Sequence, residues 1–153
     1  LLGAESATNF DAHVGRNVQR SMARLMCAQL TLVQGEHAGA LAMFDAHLPE
    51  VVSEGMSYLL PVVYADMAWC KFHLGRADEA LADAQLAQSS FSPDCEEESR
   101  AAAHGRLAQV LSALGLVDEA QVHAERAAGA LKTLREQQAL LASLLDKSLQ
   151  QLL

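Results

Sequence analysis

Apolar residues recur at steps of three and four along most of this chain, and short breaks in the rhythm cut it into segments of helical length. Leu25, Ala28 and Leu32 form one row, Ala65, Ala68 and Phe72 a second, and Leu107, Val110 and Leu114 a third. Each row lies along one side of a 3.6-residue helix and is followed by a glycine: Gly35, Gly75 or Gly115. Beyond each glycine the rhythm restarts, with Leu41, Phe44 and Leu48, then Leu81, Ala84 and Ala87, then Val122 and Ala127. The pattern predicts an all-α chain whose helices follow one another in pairs.

The breaks themselves repeat. Leu74-Gly75-Arg76-Ala77-Asp78-Glu79-Ala80 and Leu114-Gly115-Leu116-Val117-Asp118-Glu119-Ala120 agree at Leu, Gly, Asp, Glu and Ala, with 40 residues between the two glycines. A weaker copy, Gln34-Gly35-Glu36-His37-Ala38-Gly39-Ala40, lies another 40 residues upstream. A glycine in left-handed backbone conformation ends one helix, and an acidic first turn suits the positive dipole end of the next. Ala40, Ala80 and Ala120 then mark where paired helices approach closely. Pro49, Ser89-Ser90 and Gly129 share one offset from the three glycines and are expected to weaken the second helices there. Pro61 suits a first helical turn after Gly55, and Ser92-Pro93-Asp94 reads as an N-cap, a proline at the first position and an acid behind it.

With these residues the chain resembles the tetratricopeptide repeat family, in which a small residue in the first helix, a turn glycine and alanines in the second helix recur. The matching positions are Ala28, Gly35 and Ala40; Ala68, Gly75, Ala80 and Ala87; and Ala108, Gly115, Ala120 and Ala127. The period exceeds the family's ~34 residues, as in longer-period relatives found in bacterial regulators, and the chain departs from the family in keeping the second-helix aromatic only as Phe44. The resemblance implies a TPR-like superhelix of about three antiparallel helix pairs, near residues 16–55, 56–92 and 93–130, with residues 1–15 a linker or the tail of a preceding element. It also implies a concave surface that binds a protein or peptide. Carried over one at a time, its groove-facing positions are Met22, Gln29 and Val33, then Val62, Asp66, Trp69 and His73, then Arg106, Gln109 and Ala113. Of these, Gln29, Val33, Asp66, Trp69, His73, Arg106 and Gln109 are the candidate partner-binding residues. Trp69, the only tryptophan, is either an exposed binding hot spot or a core residue between repeats.

Residues 131–153 hold neither Gly nor Pro, and Leu131, Leu134, Leu141, Leu145, Leu149 and Leu152 run along one side, with Leu140 and Leu144 beside them. An amphipathic helix ~33 Å long follows. It serves either as a cap over the last repeat or as a coiled coil through which the chain homodimerises. The layout resembles sensory regions that precede output domains in bacterial regulators, including diguanylate cyclases with the GGDEF motif. A small-molecule-sensing regulatory domain is therefore the alternative function.

Composition narrows the rest. Hydrophobic residues make up 51% and aromatics 5%, so the apolar material is mostly Ala and Leu, which favours close-packed helices. A net charge of −8 is the wrong sign for gripping phosphate backbones, so no nucleic acid is expected. Three cysteines without a CxxC pair suit a reducing compartment, and the protein is expected to be cytoplasmic. No apolar run approaches the ~18 residues that cross a bilayer, and the start lacks a signal peptide's basic region, so no membrane partner is expected. The ends read as those of an excised part of something longer.

No GxSxG, phosphate-cradling loop or HExxH is present, so a non-catalytic protein without cofactor or metal is expected. Asp66, Cys70 and His73 come nearest to ligand spacing. Cys95 beside Glu96, Glu97 and Glu98 reads as an acidic helix start and not as a reactive thiol, while Cys27 and Cys70 read as small core residues.

Overall fold

The computed structural model describes the backbone of residues 2–152 and the side chains of residues 15–151. Six helices follow in order: α1 (Leu2–Val33), α2 (His37–Ser53), α3 (Leu60–His73), α4 (Ala77–Ser89), α5 (Glu97–Ala113) and α6 (Val117–Leu152), with one 3-10 turn at Ser57–Leu59. No strand occurs among the described residues.

The glycine corners work as the repeat pattern predicts. Gly35, Gly75 and Gly115 take φ values of 82°, 77° and 83°, in the left-handed region that a side chain penalises. Each corner carries the same two backbone bonds: the glycine N–H donates three residues back, to Leu32, Phe72 or Ser112, and the next N–H donates five back, to Thr31, Lys71 or Leu111. These Schellman bonds occupy the last carbonyls of α1, α3 and α5. The carbonyl of the residue after each glycine then accepts from Ala40, Ala80 or Ala120 at 2.9 Å, which starts the second helix. The same pair of bonds closes α2 at Gly55, whose φ is 73°. The three alanines are buried where the hairpin helices meet.

The hairpins share their core through α3. Val63, Met67 and Cys70 join Leu25, Ala28, Leu32, Leu41 and Phe44 in one cluster, while Ala65 and Ala68 join Ala84, Ala87, Leu107, Val110 and Leu111 in another. The second cluster is rich in alanine, which lets α3, α4 and α5 approach one another closely, and α3 meets α5 directly as well as its own partner α4.

Several boundaries differ from expectation. The segment before residue 16 is helical from Leu2 and continuous with the rest of α1. Pro49 lies inside α2 and does not end it, because the turn beyond is anchored by buried Val51 and by Glu50, which pairs with Arg24 at 2.7 Å. Ser92 is not the cap of α5. That helix starts at Glu97, after Glu96 in extended backbone, because the Arg100 guanidinium donates to the carbonyls of Ser92 at 2.7 Å and Cys95 at 2.9 Å and holds that segment outside the helix.

Gly129 does not weaken α6, which runs unbroken through residues 117–152, so the second helix of the third pair and the C-terminal helix are one element. A glycine in a helix interior costs only about 1 kcal/mol, too little to stop a helix that Ala127 and Ala130 anchor on either side. The capping expectation for residues 131–153 is not met. From Arg135 to Gln151 every side chain is exposed, Leu140, Leu141, Leu144, Leu145 and Leu149 included, so this stretch covers no repeat face.

Candidate functional site

The residues that α1, α3 and α5 direct to one side meet around a buried carboxylate. Asp66 on α3 is 5% exposed. Its Oδ1 accepts from Arg106 Nε of α5 at 2.9 Å, and its Oδ2 accepts from Gln29 Nε2 of α1 at 3.4 Å. Arg106 Nη1 in turn donates to Gln109 Oε1 at 2.7 Å. Burial raises the Asp66 carboxyl above the ordinary aspartate value, against the opposing pull of Arg106 and then Gln29.

An open cleft of about 470 Å³ lies over this row, lined by Gln29, Leu32, Val33, Val62, Asp66, Ala101, Ala102, Gly105, Arg106 and Gln109. Five of the seven candidate residues line it: Gln29, Val33, Asp66, Arg106 and Gln109. Asp66 and Arg106 are its only charged members and neutralise each other. The orientations of both glutamines are forced. A carboxylate accepts only, so Gln29 turns its NH2 inward and its Oε1 outward; a guanidinium donates only, so Gln109 turns its Oε1 inward and its Nε2 outward.

Trp69 and His73 stand beside the cleft, not in its wall. Trp69 is half-buried and packs against both core clusters, with the Arg106 Cζ 5.6 Å from its ring centroid. His73 meets Trp69 edge-on at 4.4 Å and stacks on His37 at 4.1 Å. Burial, then the charges of His73 and Arg106, lower the His37 pKa. Of the two readings of Trp69, its packing against both clusters favours the core one, although the ring stays partly in solvent.

Met22 packs against the first cluster, and Ala113 is exposed at the end of α5; neither lines the cleft. Leu32, Ala101, Ala102 and Gly105 were not anticipated. Ala101 and Ala102 lie about one turn before Arg106 and Gly105 directly before it, where their small size leaves the opening.

Asp66, Cys70 and His73 do not converge as ligands: Asp66 is held by Arg106, Cys70 is buried and His73 is exposed on His37. Burial, reinforced by Asp66, pushes the Cys70 thiol up to about 12, and burial also raises Cys95 against the pull of Arg100. Neither is an activated nucleophile. Cys27, expected in the core, is exposed instead. No described helix is long and apolar enough to cross a membrane. In comparisons with known proteins, no family model, curated protein or solved structure matches this chain.

Proposed function

We propose that the chain is a tetratricopeptide-like array of three helix pairs that acts without chemistry of its own, as an interaction module of a larger regulatory protein. In this reading an extended peptide segment lies in the cleft across α1, α3 and α5. The observation that carries it is the outward pair Gln29 Oε1 and Gln109 Nε2, one acceptor and one donor on opposite walls, each left without a partner among the described residues. A peptide backbone offers one N–H and one C=O per residue and satisfies both. Leu32, Val33 and Val62 supply apolar contact for its side chains. A cleft whose one ion pair is internally balanced favours such a ligand over a small ionic metabolite. The repeat reading is supported by the corners at Gly35, Gly75 and Gly115 and by the alanines buried behind them.

The same proposal assigns the exposed leucine side of α6 to a homodimer, since its stretch from Arg135 to Gln151, with five exposed leucines, gains by covering them against a second copy. Peptides selected from a random display library on the whole chain test the cleft. Replacing Gln29 and Gln109 together by Ala removes two hydrogen bonds and is expected to weaken the selected peptides about tenfold; unchanged affinity would remove the proposal. For the dimer, L141E with L145E in the full chain should halve the mass in solution, and an unaltered mass rules the pairing out.

A further inference from the structure

A second cleft, about 450 Å³ in volume, lies between α4, α5 and α6, apart from the one assigned above. Its floor is His104, a side chain only 7% exposed whose ring stacks on Phe91 at 4.2 Å. His104 Nδ1 lies 2.9 Å from Nδ1 of His123, which is itself buried, and His123 Nε2 lies 3.1 Å from Gln88 Nε2.

This chain has a direction. Gln88 Nε2 can only donate, so His123 Nε2 accepts. A neutral His123 then carries its proton on Nδ1 and donates it to His104 Nδ1, which leaves the proton of His104 on Nε2. Burial favours the neutral form of both rings. His104 Nε2–H therefore belongs to a side chain more than nine-tenths buried, in the wall of a cleft, with no acceptor among the described residues.

The charges around it are unequal. Arg100 is occupied by the carbonyls of Ser92 and Cys95 and is balanced by Glu97 at 3.8 Å. Arg126, also in the wall, has no ion pair or hydrogen bond among the described residues. The opening beside it is kept by Gly129, where an added Cβ would meet nothing within 4 Å. The N–H donor of a buried ring and an uncommitted guanidinium thus share one cleft, in a chain whose net charge is −8. Two donors, one of them charged, form short and strong bonds to an oxyanion.

We infer that this cleft binds the carboxylate or phosphate group of a small organic acid, held by His104 Nε2–H and the Arg126 guanidinium.

The test uses the full chain with 15N-labelled histidine, titrated with inorganic phosphate and separately with acetate, at constant ionic strength set by chloride. The expected result is a pyrrole-type, protonated Nε2 on His104 before any addition, and a saturable shift of that resonance with at least one of the two anions. Which anion acts separates a phosphoryl ligand from a carboxylate ligand. Arg126→Gln, a change at an exposed position, should leave the spectrum of the anion-free protein otherwise unaltered and weaken binding about tenfold or more. A lone-pair Nε2 on His104, a shift that never saturates, or the same affinity in Arg126→Gln would each overturn the inference. None of these outcomes bears on peptide binding at Gln29 and Gln109.

Discussion

Acidification is expected to destabilise the third hairpin, and the size of the effect follows from His104. Burial, then the neighbouring charges of His123, Arg126 and Arg100, hold its imidazole down from an ordinary 6.5 to about 4. Above pH 6.5 the ring is neutral in both folded and unfolded chains. As the pH falls below 6.5 the unfolded chain takes up a proton that the folded chain refuses, until about pH 4. The stabilisation is therefore complete above 6.5 and is lost on the way down to about 4. At ~1.4 kcal/mol per pH unit the loss is about 3 kcal/mol.

His123, lowered mainly by burial, acts with the same sign. Asp66 and Asp83 are raised by burial and act with the opposite sign, since the folded state accepts their protons first and gains stability as the pH falls through the raised values. A comparison isolates His104 from them. His104→Gln keeps a hydrogen-bonding partner for His123 but does not titrate. Urea unfolding followed by circular dichroism, from about pH 7.5 to about pH 4, should show the wild type losing about 3 kcal/mol more than the variant. Parallel stability curves, or a His104 resonance that titrates at 6.5 or above, would refute the reasoning.

Two glycines should respond in opposite directions to alanine. Gly75→Ala forces a side chain into φ 77° and should cost about 1–2 kcal/mol in chemical unfolding, whereas Gly129→Ala, inside α6 with open space around it, should raise stability by about 1 kcal/mol. Asp66→Ala leaves the Arg106 guanidinium without its partner and should cost roughly 2–3 kcal/mol, below the usual range for a buried pair because Arg106 keeps 24% of its side chain in solvent. Trp69→Ala should lower stability by about 2–3 kcal/mol, a core-like loss, and an unchanged melting temperature would restore the exposed-anchor reading.

How far the candidate site could be read in advance depended on whether a residue's role was local. The meeting of Gln29, Asp66, Arg106 and Gln109 was legible through the resemblance to the tetratricopeptide family, which implies that all four face the groove, and they line one cleft. Trp69 was not, because its burial depends on how closely α5 packs against α3, and that distance is set by Ala65, Ala68 and Leu107 together. The His104–His123 pair carried no motif: the two residues are 19 positions apart, on two helices, and only the packing of α5 against α6 brings their Nδ1 atoms to 2.9 Å.

Helix identity, the glycine corners and the acidic starts of α4 and α6 were determined by the amino-acid sequence itself, since a left-handed turn and a helix dipole act on residues a few positions apart. Tertiary structure alone decided where helices stop when local signals conflict. Pro49 and Gly129 are breakers by propensity, yet burial of Val51, Ala127 and Ala130 outweighs costs of one to a few kcal/mol. Likewise, Ser92 is a good cap by composition, but an arginine eight residues away claims its carbonyl. Local preferences of that size hold wherever packing is silent, and yield wherever a buried side chain or a charged donor acts on the same turn.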